Sequence, residues 1–246
     1  MPSIANGLAL SGYRPFVSTY LTFSDYLKPA LRLTCLMNLP VTYIFTHDSI
    51  TVGEDGPTHQ AVEQLVGLRA TPNLEVFRPS DSNEVIGTYK TIFEENKPAC
   101  IILGRNETKI RETSSVPNVS KGAYVIKQEE RKLDGVIIAT GEEVDLAFDV
   151  VNALFEKGYD FRIVSMPCIE RFNLLSDEGK EELLPIGKKK FIIEKSSAYS
   201  WYRFAYNDNY LFTIDRFGLS GKANDINAKF NFTSEEIALK IEEIIK

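Results

Sequence analysis

His47-Asp48-Ser49-Ile50-Thr51-Val52-Gly53-Glu54-Asp55-Gly56-Pro57-Thr58-His59 holds both histidines of the chain, and its reading decides the rest. The segment from Gly53 to Pro57 cannot be regular helix or strand. Two glycines permit left-handed or tight backbone, and the proline fixes its own φ. Just before it, Pro40-Val41-Thr42-Tyr43-Ile44-Phe45 is a nearly continuous apolar run between turn signals, the pattern of a strand buried on both faces. Just after it, Thr58 to Leu68 carries apolar residues at helical spacing. The stretch therefore reads as strand, loop and helix. Asp55 stands where an N-cap is expected, Pro57 lies near the first helical position, and the helix runs to about Arg69.

The alternation extends outward from this unit. Asp25 to Met37 has a helical pattern interrupted by Pro29, and Leu74-Glu75-Val76-Phe77 is a strand. Asp81 looks like the N-cap of a helix from about Ser82 to Asn96, and Ala99 to Leu103 is a further strand ending in Gly104-Arg105. Residues 107–121 are polar around Pro117 and read as a linker. Beyond them Gly135 to Gly141, Phe161 to Met166 and Lys190 to Glu194 are strands, and Glu142 to Lys157 and Glu235 to Lys246 are helices. Alternation of this kind implies an α/β fold: two α/β units with mostly parallel sheets. We place them at residues 1–110 and 122–246, joined by 111–121, with no internal repeat.

Composition narrows the class. The 246 residues suffice for one or two domains with a real core. No apolar run reaches the ~20 residues that span a bilayer, and Met1-Pro2-Ser3-Ile4-Ala5-Asn6 lacks the marks of a secretory signal. A soluble, cytoplasmic protein is expected, with no membrane partner. The net charge of −6 argues against nucleic acid as the main partner. Cys35, Cys100 and Cys168 are odd in number, distant in sequence and flanked by apolar residues, so buried free thiols are expected. The basic run Lys188-Lys189-Lys190 reads as a solvated turn before a strand.

In open α/β sheets ligands gather at the carboxyl ends of the strands. Three features fall there: the His47 loop, Arg105, and Thr140-Gly141-Glu142. His59 can donate, accept or carry a proton near neutral pH, and at a helix N-terminus it would favour the neutral form. Ionised Asp55 is acceptor-only and could fix a hydroxyl. A capped helix with a satisfied surface histidine accounts for the same residues. His47 and Arg105, on one sheet edge, offer donors to a phosphate or carboxylate. Two histidines twelve residues apart fit no common zinc pattern, so no metal is assigned to them. Phe16, Tyr20, Phe23 and Tyr26 lie among polar Ser18, Thr19, Thr22, Ser24 and Asp25. Core packing is the usual use of such a stripe, but a loop presenting these rings could stack on a flat heterocycle.

Thr46-His47-Asp48-Ser49 followed by Gly53-Glu54-Asp55-Gly56-Pro57-Thr58-His59-Gln60 closely resembles the transketolases. Related thiamine-diphosphate enzymes, such as deoxyxylulose-phosphate synthase, keep a similar run from the glycine to the histidine. The His-Asp-Ser lead-in is particular to transketolase and its dihydroxyacetone-synthase relatives. The resemblance extends over Ile4-Ala5-Asn6-Gly7, Arg78-Pro79-Ser80-Asp81, Gly141-Glu142-Glu143-Val144, Val164-Ser165-Met166-Pro167 and Phe217-Gly218, nearly end to end. It implies a thiamine-diphosphate pyrimidine-binding type of domain, N-terminally incomplete, followed by a transketolase C-terminal domain.

The activity implied is transfer of a two-carbon ketol unit between sugar phosphates of the pentose phosphate pathway, with thiamine diphosphate as electron sink and Mg2+ as its metal. By the resemblance Phe23 and Tyr26, with Tyr20 beside them, pack on the aminopyrimidine. His59 meets the substrate near the reacting carbons and helps move protons. Asp55 reads a sugar hydroxyl, and His47 and Arg105 hold the sugar phosphate. Tyr20 departs mildly from the family's usual Phe. The larger departure lies upstream of Ile4. The family's activating glutamate would stand there, but only Met1-Pro2-Ser3 precede Ile4, and the diphosphate- and metal-binding domain is not represented. The expectation is a chain inactive alone, needing the N-terminal transketolase part and a second copy in a dimer. The alternative is a non-catalytic interaction or regulatory module keeping the fold.

Overall fold

The computed structural model describes residues 1–246. Two sheets form, one in each half of the chain. The first holds β1 (Phe16–Tyr20), β2 (Thr42–Thr46), β3 (Glu75–Phe77) and β4 (Ala99–Ile102), in the order β1-β2-β4-β3 with every pair parallel. Helices α1 (Pro2–Leu10), α2 (Lys28–Leu36), α3 (Gln64–Arg69) and α4 (Ser82–Glu95) accompany it. The second holds β5 (Tyr124–Lys127), β6 (Gly135–Ala139), β7 (Phe161–Ser165), β8 (Lys189–Ile193) and β9 (Leu211–Phe212), in the order β5-β7-β6-β8-β9. Its helices are α5 (Glu143–Glu156), α6 (Ile169–Phe172), α7 (Asp177–Leu183), α8 (Ala223–Lys229) and α9 (Ser234–Ile245). The fold is α/β, and all pairings are parallel except β5 with β7, which is antiparallel.

The apolar runs explain the central strands. Every residue of β4, β6 and β7 is buried, as expected where helices cover both faces of a parallel sheet. Asp81 caps α4 as its position predicts, its carboxylate accepting from Glu84 N at 3.0 Å. The three cysteines are buried and free. Edge strands are less legible. In β1 only Val17 is buried, and Ser18 and Thr19 are polar, so no apolar run announces it.

Three local expectations need correction. Pro29 does not interrupt a helix that starts at Asp25. Leu21–Tyr26 is a 3-10 turn, and α2 begins at Lys28 with Pro29 in its first turn, where a missing N–H goes unnoticed. The helix after His59 starts at Gln64 instead of near Thr58, and Asp55 ends a 3-10 turn (Ile50–Asp55) without capping a helix. The cause is Gln60, which turns inward and donates to the carbonyls of Gly53 and Leu219, both at 2.9 Å. His59 therefore lies outside α3, beyond the reach of its dipole. Finally, Lys188 to Lys190 are no solvated turn. Lys189 and Lys190 lie in β8, and the three ammonium groups donate to the carbonyls of Leu133, Ile244 and Pro185.

The two halves share buried material. Ile50 and Val62, from the first, belong to the core built around β6, β8 and α5 of the second. No helix is long and apolar enough to cross a membrane.

Candidate functional site at the carboxyl ends of the first sheet

β1, β2 and β4 run parallel, so their carboxyl ends deliver Tyr20, His47 and Arg105 to one edge. His47 takes φ 58°, a left-handed conformation uncommon for a residue with a side chain. Its ring stacks on Tyr20 with centroids 3.8 Å apart and planes within 16°. Tyr20 in turn stacks at 6.0 Å on Phe23. His59 meets both rings edge-on, 6.4 Å from Tyr20 and 5.4 Å from Phe23. The two histidines, twelve residues apart, thus flank one aromatic pair. Tyr26 packs 6.2 Å from Phe23 at the outer end and is 83% exposed.

Polar groups surround this cluster. Arg105 is exposed and anchored by a 2.9 Å bond to the Val52 carbonyl. Burial holds the His47 imidazole below its ordinary pKa, and the Arg105 charge pushes the same way. Asp55 and Asp48 oppose them. Those effects place Arg105 and Asp55 within electrostatic reach of His47. Thr46 Oγ1 meets His47 Nδ1 at 2.9 Å, and Thr58 Oγ1 meets His59 Nδ1 at 2.9 Å, which leaves Nε2 of each ring free. Tyr20, Phe23, His47 and His59 thus gather on one face, with Tyr26 at its rim and Arg105 and Asp55 exposed nearby. The larger cavities lie elsewhere: about 540 Å³ beside Asp215 and Arg216, and about 560 Å³ beside Lys188 to Lys190. Neither includes His47 or His59, whose rings are half-buried; the site is an open face.

The aromatic rim leaves ring faces unpaired. Phe23 and Tyr26 are tilted 40° to each other, and Tyr26 leaves most of its ring to solvent. No group of three His, Cys, Asp or Glu side chains is arranged to hold a metal.

What motif reading did not assign is the buried charge cluster behind the site. Arg78, 1% exposed, donates from Nε to Asp48 at 2.8 Å and from Nη1 to both Thr140 oxygens and to Glu143. Arg69 forms a two-pronged pair with Glu194, both bonds 2.8 Å, and stacks its guanidinium over Trp201 at 5.2 Å. Lys195 lies 3.8 Å from Glu143. Three cations thus face three carboxylates across the two halves. Burial acts to raise the Glu194 carboxyl, but Arg69, Arg78 and Ser196 outweigh it and hold it well below the usual range. Burial keeps Glu143 above its ordinary value against Arg78 and Lys195. The sequence did carry a signal: Arg78 and Glu194 directly follow Val76-Phe77 and Phe191-Ile192-Ile193, where a charge is placed by the strand itself.

Residues 1–110 match the family described as the transketolase pyrimidine binding domain, and residues 122–233 the transketolase-like C-terminal domain. A transketolase of Bacillus subtilis is 42% identical over 252 residues, covering all of this chain and 38% of its own length. A probable transketolase of Streptococcus pneumoniae is 42% identical, over 96% of this chain and 36% of its own. The chain thus spans little more than a third of the curated relatives it matches. A crystal structure of a Pichia stipitis transketolase mutant superposes with a TM-score of 0.94 at 39% identity, over all of this chain and 36% of that one. A structure titled as a split gene transketolase, inactive β4 tetramer, shares the fold with a TM-score of 0.75 at 22% identity, over 98% of this chain and 80% of that one.

Proposed function

The chain belongs to the transketolase family, and on that premise we propose that it supplies the pyrimidine and sugar-phosphate side of ketol transfer between sugar phosphates. The remaining two-thirds of the relatives' length would complete it, with a second copy in a dimer, in the cytoplasm. One observation carries this reading: His47, His59, Tyr20 and Phe23 converge in one cluster whose surroundings, Tyr26, Asp55 and Arg105, are exposed. A neighbour of that kind would close it.

Phe23 and Tyr26, with Tyr20, would receive the aminopyrimidine of thiamine diphosphate, whose thiazolium supplies the electron sink when bound. The diphosphate and its Mg2+ would be held by the part this chain does not span. His59 Nε2, left free by the contact of Nδ1 with Thr58, would hold or move a proton at a substrate hydroxyl. Asp55, acceptor-only, would read a hydroxyl farther along the sugar. His47 Nε2 and the Arg105 guanidinium would bind the phosphate.

The test combines the purified chain with a polypeptide matching the N-terminal part of the relatives, thiamine diphosphate, Mg2+, xylulose 5-phosphate and ribose 5-phosphate. We expect ketol transfer with the pair and none with either alone. His59→Ala in the pair should lower kcat by about 10²-fold or more, the usual size of a lost proton-transfer group. Absence of transfer with a folded partner that binds the cofactor would overturn the reading and favour a non-catalytic module.

A further inference from the structure

Two adjacent carboxylates of the second half, Glu142 just before α5 and Glu143 at its first position, both reach into the first half. Glu143 holds Arg78, which holds Asp48, the residue next to His47. Glu142 accepts from the backbone N of Asn106 at 2.9 Å and from its side-chain amide at 3.0 Å. Asn106 is the residue next to Arg105. The Glu142 carboxylate also lies 3.5 Å from the Thr51 hydroxyl, in the turn whose Val52 carbonyl anchors the Arg105 guanidinium.

Each carboxylate thus fastens the immediate neighbour of one anion-binding side chain. Backbone bonds reinforce the junction, with Arg78 N donating to the Pro167 carbonyl at 2.7 Å and Gly141 N to the Arg78 carbonyl at 3.0 Å. Two glycines make the approach possible. A Cβ at Gly104 would lie 1.9 Å from Glu142 Oε1, and one at Gly141, where φ is +55°, would lie 2.9 Å from the Arg78 guanidinium carbon.

From this arrangement, and resting on the reading of His47 and Arg105 given above, we propose that Glu142 and Glu143 are positioning residues for the phosphate-binding pair, so that the C-terminal half sets affinity for the phosphorylated end of the substrate. Neither touches the substrate. Their effect is to hold His47 and Arg105 at a fixed separation before binding, so that less ordering remains to be done when the anion arrives. Glu142 carries the more diagnostic part of the claim. It is half-buried and serves a surface loop, so its replacement leaves both cores packed.

With two histidines in the chain, the His47 ring proton can be followed by NMR while ribose 5-phosphate, and separately ribose, is added to the purified chain. The wild-type His47 signal is expected to shift with ribose 5-phosphate and not with ribose. In Glu142→Ala the affinity for ribose 5-phosphate should fall about tenfold, the scale of ordering one such side chain. Glu142→Gln, which keeps an acceptor for Asn106, should recover most of it. In the reconstituted pair the same Ala variant should raise KM for ribose 5-phosphate with kcat unchanged, and leave untouched the transfer from a non-phosphorylated ketose donor to glycolaldehyde, neither of which carries a phosphate. Equal affinity in wild type and Glu142→Ala, or equal losses with both acceptors, would overturn the inference while leaving the assignment of His47 and Arg105 standing. Absence of any ribose 5-phosphate shift in the wild type would overturn that assignment and the inference with it.

Discussion

At the scale of single residues, the site depends on charges that tune one imidazole. Burial lowers the His47 pKa and Arg105 lowers it further, against Asp55 and Asp48. A group whose folded pKa is depressed by a neighbouring cation regains basicity when that cation goes. Arg105→Met should therefore move the His47 titration upward, toward the ordinary histidine value. The ring-proton shift of His47 against pH checks this, and an unchanged midpoint would mean that Arg105 does not act on the ring. The same substitution should weaken ribose 5-phosphate binding more than ribose binding. The position of His47 and Arg105 at one sheet edge was legible because strand ends place side chains without reference to distant contacts. The Tyr20–His47 stack was not legible, since it joins side chains from two strands.

At the scale of elements, the decisive piece is the segment between β2 and α3. Its turns are held from the far side of the molecule. Gln60 spans the Gly53 and Leu219 carbonyls, and a Cβ at Gly218 would sit 1.6 Å from Gln60 Oε1. Gly218→Ala should expel Gln60 and release the His59 segment, at a cost of about 1–3 kcal/mol for the buried polar groups left unpaired. Thermal unfolding would register the loss, and hydrogen exchange should rise between residues 53 and 62. Exchange confined to residues near 218 would count against this linkage. The apolar periodicity from Thr58 to Leu68 suggested a continuous helix, but the structure starts α3 only at Gln64. Periodicity reports which residues prefer burial. It does not report that Gln60 has two carbonyl acceptors waiting, one of them 159 positions away.

For the molecule as a whole, the buried charge cluster joins the two halves and makes their stability depend on pH. The folded pKa of Glu194 is depressed, so its contribution is present above the ordinary carboxylate value, about 4.3, and fades as pH falls toward the folded pKa. Glu84 has the opposite sign: burial raises its pKa, so its ionisation at neutral pH costs stability instead of adding to it. Glu194→Gln leaves Arg69 and Trp201 facing a neutral amide and should cost about 3–5 kcal/mol near pH 7, the usual penalty for breaking a buried pair. Denaturant titrations from pH 7 to pH 3 should show the gap between wild type and variant narrowing as pH falls. A gap independent of pH would mean that the carboxylate charge is not what Arg69 and Arg78 stabilise.

The sequence by itself determined the α/β class, the central strands and the capped start of α4. Each of these follows from local causes: apolar runs, the backbone limits of Gly and Pro, and the placement of charge at strand ends. Only the tertiary structure decided that β5 runs antiparallel, that the helix after His59 begins at Gln64, and that Glu142 and Glu143 stand behind the neighbours of Arg105 and His47. Those outcomes rest on contacts between residues tens to more than a hundred positions apart. Such contacts leave no periodic trace in the chain, because their energies depend on where folded surfaces meet.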